Sequence, residues 1–301
     1  MILSFNYLSR QGLLRKDWSE KTLKYWFYNV YLLMITQLKN RTLIRLSGKD
    51  VQPFLQGQFS NDINALDEGV VQINAYCQHQ GKIIALVWVM RQEADFYLSF
   101  VSDLAEIVVK RLTMFKMMSD VVITDVSDEI TQLGLLEGDR QGLSPFKLNA
   151  QQSIALVSDV SSINFSSGEV WEQACIANEV PEVFLATSEK FVPQMLNLDI
   201  DEVGVSFSKG CYPGQEVVAR LHYLGTSKRR MRVFETAADI KLGDSLFVAT
   251  SKSAKASGQV VRCVKLDDRS LCLATVEVAH EDDLITLNDA NGTVLTRINH
   301  D

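Results

Sequence analysis

The sequence has few residues of the kinds that build disulfide frameworks or metal sites. Its 301 residues include five cysteines and four histidines. The cysteines are odd in number, widely scattered and without a CxxC pair, so reduced thiols fit better than a disulfide scaffold. The histidines form no cluster with the spacing of metal ligands. We therefore predict no zinc or iron–sulfur site made from the protein's own side chains.

Long apolar runs are also missing. The most apolar stretch near the N-terminus covers residues 23–36, and Lys24 and Asn29 interrupt it. It is shorter than the roughly 20 residues that a membrane-spanning helix needs, and it lies too far from the start for a signal peptide. We expect no membrane association and a cytoplasmic location. Residues 1–33 are interpreted as a surface extension; the alternative hypothesis is that Met34 is the true start and that they are a gene-model artefact.

The overall charge restricts the class of partner. The chain has 30 lysines and arginines against 37 acidic residues, a net charge of −7, and 47% of its residues are hydrophobic. This composition is typical of a globular protein with a core of its own, and the length suits two or three domains. An acidic molecule of this kind is not built to coat nucleic acid. Any site for RNA or another anion must be a local basic patch.

Hydrophobic periodicity predicts short strands and helices from about residue 40 onward. Predicted strands lie at 42–46, 70–77, 83–90, 95–101, 121–126, 133–136 and 154–157. Predicted helices follow Asp50 and Asp103, which are placed to cap them, and a third covers residues 170–178. This order of elements predicts an α+β fold with two lobes and largely antiparallel sheets.

The last quarter of the chain has a different pattern. Short strands are predicted at 231–236, 245–250, 259–265, 271–276, 284–287 and 294–298. Turn signals such as Asn291-Gly292 separate them. Closely spaced short strands predict a small C-terminal β-barrel. The predicted domains are therefore an extension at 1–33, a two-lobed region at 34–225 and a barrel at 226–301.

Residues 209–220 form the most informative segment, Lys-Gly-Cys-Tyr-Pro-Gly-Gln-Glu-Val-Val-Ala-Arg. Gly210 and the Pro213-Gly214 pair predict a tight, exposed turn, and a helix can begin directly after it. Amide groups at a helix start attract anions and stabilise a thiolate, and Lys209 adds positive charge nearby. Cys211 is thus the one cysteine placed to be reactive, although a small buried cysteine in a turn fits the same letters.

Charged side chains continue beyond this turn. Glu216 can accept hydrogen bonds from the neighbouring N–H and amino donors of a pterin-like ring, or it can simply favour the helix dipole. The positive residues can hold the glutamate tail of a folate or the phosphates of a tRNA; equally, they can be solvated charges that prevent sheet pairing. These positive residues are Lys209, Arg220, His222, Lys228, Arg229, Arg230 and Arg232.

The segment at 209–216 resembles the Lys-Gly-Cys-Tyr-x-Gly-Gln-Glu hallmark of the YgfZ-type folate-binding proteins. These are relatives of the glycine-cleavage T protein, an aminomethyltransferase. Residues 54–62, 191–198 and 219–229 are similar to further segments of the family, and the likeness extends over about residues 38–301.

The resemblance implies a ring of two α+β lobes and a barrel around a central channel that holds tetrahydrofolate or a derivative. It implies a role in the assembly or repair of iron–sulfur enzymes, including enzymes that methylthiolate tRNA. The expected partners are folate, iron–sulfur enzymes or cluster-assembly proteins, and a tRNA contacted through Lys228, Arg229 and Arg230.

The resemblance also implies roles for individual residues. Cys211 and Lys209 are the residues expected to carry the chemistry. Trp171 matches a family tryptophan that packs on the folate, since a flat pteridine stacks well on indole; its local pattern alone fits ordinary helix core. The other predicted cofactor-binding residues are Arg41, Tyr212, Gln215, Glu216 and Arg220.

The sequence departs from the family and from the T protein at particular positions. Arg41 stands where a second family tryptophan is expected, and it can grip a carboxylate or stack through its guanidinium. Leu224 stands where some members carry arginine. An acidic pair of the T protein corresponds to Ala85 and Leu86, so no carboxylate serves acid–base chemistry there. This comparison argues against glycine-cleavage activity.

Three hypotheses of function follow. The first is a folate-binding maturation factor rather than a self-sufficient enzyme. The alternative is a folate-dependent transferase that moves a one-carbon unit to a small amine or to tRNA. The third is an RNA-binding scaffold, whose affinity for tRNA would depend steeply on salt and not on folate.

Overall fold

The structure is a computed structural model that describes residues 34–136, 143–248 and 256–299. It contains a five-stranded sheet, a four-stranded sheet and a closed six-stranded barrel, and all strand pairs within them are antiparallel. The predicted α+β class with antiparallel sheets and a C-terminal barrel is confirmed. No helix among the described residues has both the length and the apolar character needed to cross a bilayer.

The strands of the two sheets are β1 (Ile35–Gln37), β2 (Arg41–Ser47), β3 (Val71–Cys77), β4 (Ile83–Gln92), β5 (Asp95–Val101), β6 (Val122–Asp125), β7 (Thr131–Leu136), β8 (Phe146–Lys147) and β9 (Gln152–Val157). The barrel strands are β10 (Arg229–Thr236), β11 (Ser245–Val248), β12 (Gly258–Lys265), β13 (Ser270–Glu277), β14 (Ile285–Leu287) and β15 (Val294–Ile298). The helices are α1 (Val51–Gln56), α2 (Ala105–Lys116), α3 (Gly168–Ala177) and α4 (Gln215–Leu224).

The first lobe is built on the sheet with strand order β3-β4-β5-β2-β6. Residues 83–90 of β4 are at most 3% exposed, because both faces of this interior strand are covered. An unbroken apolar run is the pattern expected of such a strand. The predicted strands of this lobe are confirmed to within a few residues at each end.

The second lobe has the strand order β1-β7-β9-β8. Strands β1 and β8 were not predicted, because three and two residues are too few to show a periodicity. Helix α3 packs on this sheet through Trp171. A Cβ added at Gly134 of β7 would lie 2.4 Å from the indole, so the ring rests directly on the strand backbone.

The barrel closes in the order β10-β13-β12-β11-β14-β15, with β15 returning to β10. All six predicted strands are present, although residues 249 and 250 of the predicted strand at 245–250 lie outside the described residues. The predicted boundary after residue 225 falls between α4 and β10 and stays a prediction. The extension at 1–33 and the hypothesis of a start at Met34 concern residues that the structure does not describe.

The predicted helix caps differ in part from the structure. Asp103 lies inside a short 3-10 turn, Ser102–Leu104, that precedes α2, so it does not cap that helix. Asp50 occupies the cap position of α1, but its carboxylate accepts a hydrogen bond from the backbone N–H of Asp120 at 2.8 Å. The predicted N-cap position of Asp50 is therefore confirmed without a capping bond from its side chain, and the predicted cap at Asp103 was wrong because the 3-10 turn moves the start of α2 to residue 105.

A buried ion pair joins the first lobe to the segment that follows α3. Arg41 of β2 is 7% exposed, and its guanidinium carbon lies 3.7 Å from the centre of the Trp88 ring. Its Nε donates to Ser99 Oγ at 2.8 Å, and one terminal nitrogen pairs with the carboxylate of Glu182, which is fully buried. The segment around Glu182 is thereby fixed to the first lobe.

A second buried arginine joins the barrel to the same segment. Arg262 of β12 is 2% exposed. Its Nε lies 2.9 Å from a carboxylate oxygen of Glu172 on α3, and Nη1 donates to the carbonyl oxygen of Val180 at 2.9 Å. Residues 180–182 are therefore held by cations from two different parts of the fold.

The Arg41–Glu182 pair can be tested by removing one charge and then both. Glu182→Leu leaves a buried guanidinium unpaired, and we expect the free energy of unfolding in urea to fall by about 3–5 kcal/mol. Arg41→Met combined with Glu182→Leu should recover most of this loss, because no buried charge then remains. Lys265→Met, which breaks the exposed Lys265–Asp239 pair, is the control and should match the wild type. A double variant as unstable as Glu182→Leu would contradict this account.

Candidate functional site

The thiol turn, residues 209–216, packs against the loop between β3 and β4. Gly214 has a φ of +85°, and a Cβ there would lie 2.5 Å from the carbonyl oxygen of Gln78 and 2.7 Å from Cα of Gly81. The positive φ and the lack of space for a Cβ both exclude a side chain, so only glycine suits this position. The turn is held against the first lobe at the point where α4 begins.

Lys209 anchors the other end of the turn. Its ammonium donates to the carbonyl oxygens of Gln56 at 2.7 Å, Phe59 at 2.6 Å and Asn61 at 2.8 Å. Burial lowers the pKa of Lys209 to about 8, and the charge of Asp62 opposes this shift. At neutral pH the amine therefore keeps the proton that three acceptors require. All three donors are used, so the geometry favours a positioning role, and the predicted chemical role of Lys209 stays a prediction.

Tyr212 is a buried anchor of the same turn. Its side chain is 6% exposed, and burial raises the pKa of the phenol. The ammonium of Lys209 lies 5.4 Å from the centre of the Tyr212 ring, within the range of a cation–π contact. Its carbonyl oxygen accepts from the N–H of Gln215 at 3.2 Å. The predicted cofactor contacts of Tyr212 and Gln215 stay predictions.

The five cysteines differ sharply in exposure. Cys211 is exposed, whereas Cys77, Cys175 and Cys272 are buried and Cys263 is half-buried. Loss of solvation raises the pKa of the other four thiols, to about 11 for Cys175 and Cys263 and to about 12 for Cys77. Cys211 is thus the cysteine that a partner or reagent can reach.

The first turns of α4 present charged side chains beside the thiol turn. Glu216 and Arg220 are both exposed and lie four residues apart, so they share one face of the helix. Within the described part of the chain neither forms a salt bridge. Their charges are available to a ligand, and their predicted contacts with a cofactor stay predictions.

Trp171 and Arg41 are held at other places by contacts within the protein. Trp171 is 2% exposed, with its ring on Gly134. Arg41 both grips a carboxylate and stacks on an indole, but these belong to Glu182 and Trp88. Stacking on a pteridine would require Trp171 to present a face, so its role and that of Arg41 stay predictions.

The basic stretch after α4 is less positive than its sequence indicates. Three of its arginines have acidic partners: Arg229 with Glu277 at 3.2 Å, Arg230 with Asp199 at 3.0 Å and Arg232 with Glu281 at 2.7 Å. Among the described residues, Arg220, His222 and Lys228 have no such partner. The predicted tRNA contact through residues 228–230 stays a prediction, and it would rest mainly on Lys228.

Sequence reasoning missed Lys82 and Lys190. The ammonium of Lys82 donates to the carbonyl oxygen of Lys190 at 3.1 Å. Burial lowers the pKa of Lys82, and the positive charges of Arg229 and Lys190 lower it further. Lys190 and Arg229 are more than a hundred residues from Lys82 in the sequence, so no local pattern indicates that they lie near it. The position of Lys82 directly after the turn at residues 80–81 was the only feature visible in the sequence.

Comparisons with known proteins agree with this geometry. No family model matches the chain. It is 30% identical to an uncharacterized protein of Haemophilus influenzae over 75% of this chain and 82% of the relative. It is 26% identical to the tRNA-modifying proteins YgfZ of Colwellia psychrerythraea, over 85% and 89% of the two chains, and of Klebsiella pneumoniae, over 81% and 85%.

A solved structure shares the fold. The glycine cleavage system aminomethyltransferase T of Bartonella henselae superposes with a TM-score of 0.69 at 12% identity, over 92% of this chain and 88% of that one. Two antiparallel lobes, a closed barrel and this superposition define a protein of the aminomethyltransferase T fold. In its thiol turn and over most of its length, the chain is similar to the tRNA-modifying proteins YgfZ.

Exposure of a single thiol predicts the course of alkylation. In the native protein at pH 8, we expect iodoacetamide to modify Cys211 rapidly and the other four cysteines only after unfolding, because a buried thiol with a raised pKa is rarely a thiolate. Mass spectrometry of tryptic peptides measures each site. Cys211→Ser should remove the fast phase; rapid modification of Cys77 or Cys175 in the native protein would show that the burial is wrong.

Proposed function

We propose that this protein binds tetrahydrofolate or a derivative and supports the assembly or repair of iron–sulfur enzymes in the cytoplasm, including enzymes that methylthiolate tRNA. The observation that carries the proposal is the exposed thiol of Cys211 on a turn fixed by Lys209 and Gly214. The three hydrogen bonds of Lys209 to carbonyl oxygens and the close packing of Gly214 hold this turn in one conformation. Such fixed placement suits a thiol that must meet a ligand or a partner protein in one orientation.

The residues around the turn have the chemistry that a folate needs. A carboxylate at Glu216 can accept the paired donors of a pterin, and Arg220 can bind a carboxylate of the tail. Trp171 would supply a stacking surface if its ring turned away from Gly134. A substituted tetrahydrofolate would supply a one-carbon unit, and the role of this chain would be to bind and orient that cofactor next to Cys211. The central channel between lobes and barrel is part of this proposal.

The second candidate, a folate-dependent transferase, has the shared fold in its favour. Its difficulty lies in β4, where Ala85 and Leu86 are fully buried apolar residues at the positions matched to the acidic pair of the T protein. Acid–base groups would have to come from elsewhere. Turnover of methylene-tetrahydrofolate by the purified protein would favour this candidate over the maturation factor.

Calorimetric titration with tetrahydrofolate tests the binding. We expect saturable binding by the wild type and a loss of about tenfold or more in affinity for Glu216→Gln, because a neutral amide cannot accept from both donors of a pterin. Trp171→Ala should weaken binding as well, with its unfolding curve recorded to separate lost stacking from lost packing. Glu106→Gln, on the exposed face of α2, is the matched control. The proposal of folate binding fails if the wild type does not bind.

Complementation tests the role of the thiol. In a strain lacking its own protein of this family, the wild-type chain should restore tRNA methylthiolation, measured by mass spectrometry of tRNA nucleosides. Cys211→Ala should abolish this support while leaving the unfolding curve unchanged, since the exposed side chain carries no packing. Full support by Cys211→Ala would refute a role for the thiol, and Cys263→Ser serves as the control for loss of a cysteine.

A further inference from the structure

Lys82, beside the loop between β3 and β4, is hydrogen-bonded to the backbone of Lys190, and the charges of Lys190 and Arg229 are near enough to act on it. Lys82 is the last residue of that loop, and Arg229 is the first residue of β10. Lys190 belongs to the segment 189–191, which pairs with Ile83. The backbone fixes Lys82 and Lys190, because Ile83 exchanges hydrogen bonds of 2.7 and 2.9 Å with residues 189 and 191. The ammonium of Lys82 then donates to the carbonyl oxygen of Lys190 at 3.1 Å. We call these three residues the cation cluster.

The cation cluster carries an excess of positive charge. Arg229 has a carboxylate partner, Glu277, at 3.2 Å. Lys82 and Lys190 have no acidic partner within 4 Å in the described ranges, so the cluster keeps a net charge of about +2. Lys82 is half-buried, and its pKa is lowered by burial and by its two positive neighbours. Like charges held together in this way cost free energy, which a bound anion would recover.

The cluster adjoins the first turn of α4. A Cβ added at Gly81, the residue before Lys82, would lie 3.1 Å from Cβ of Val217 and 3.3 Å from the carbonyl oxygen of Gly214. Glu216 lies between these two contacts in sequence. Lys82 and the proposed pterin acceptor are therefore on neighbouring elements in direct contact, so one elongated ligand can touch both.

We infer that the cation cluster binds the carboxylates of the oligoglutamate tail of a folate, an inference that rests on the proposed folate binding. A tail of glutamates carries one further negative charge per residue, which suits a compact cluster with excess positive charge. An RNA backbone instead needs cations spread along a track. The arginines that would extend such a track, Arg230 and Arg232, are engaged by Asp199 and Glu281.

The test compares tetrahydrofolate with one and with five glutamates by calorimetry. We expect the wild type to bind the pentaglutamate about tenfold more tightly at low salt, with a smaller ratio at high salt. In Lys82→Met combined with Lys190→Met, the ratio should fall close to one. Lys49→Met, an exposed lysine at the turn after β2, should behave as the wild type. The double variant Lys82→Arg with Lys190→Arg keeps the charge and should keep the preference, which guards against a general folding defect.

Each outcome bears on a different statement. Absence of binding by every folate would overturn the proposed function and this inference together. Binding of both lengths with equal affinity by the wild type would overturn the inference alone. A methionine variant that keeps its preference for the longer tail but loses affinity for tRNA would assign the cluster to RNA and overturn the inference as well.

Discussion

The site depends on one charged group, the ammonium of Lys209, held by the carbonyl oxygens of Gln56, Phe59 and Asn61. These carbonyls belong to the end of α1 and the loop after it, some 150 residues earlier in the chain. A buried ammonium is tolerated only when its donors are satisfied, so the segment carrying Lys209 has one acceptable position. The position of Cys211, two residues later, follows from that constraint.

Several arginines of this protein join separate parts of the fold and so contribute little free positive charge to the surface. Arg230 binds Asp199 and also the carbonyl oxygen of Gln194, which ties the first barrel strand to the lobes. Arg262 does the same from β12. The basic stretch in the sequence therefore overstates the positive charge that an approaching anion would meet, whereas Lys82 and Lys190 have no acidic partner among the residues that the structure describes.

The sequence predicted what local patterns control. Runs rich in β-branched and aromatic residues located the long strands, and the glycines of the thiol turn predicted a tight, exposed turn directly before a helix. The pairing of β1 with β7, the burial of Lys209 and the salt bridge of Arg41 depend on residues far along the chain, and no local pattern encodes them. Sequence reasoning accordingly located the thiol turn with Lys209 and Gly214, but not the carbonyl oxygens of the first lobe that hold Lys209 in place.

The contact between Gly81 and Gly214 restricts which residues a homologue can carry at these two positions. A Cβ at Gly214 would lie 2.5 Å from the carbonyl oxygen of Gln78 and 2.7 Å from Cα of Gly81, and Gly81 has a φ of +76°. Both positions, more than a hundred residues apart, therefore favour glycine. The preference for glycine at both positions is steric and conformational and does not itself indicate a chemical role. A homologue that lost one of them would need a rebuilt hairpin loop, and its exposed cysteine would occupy a different place.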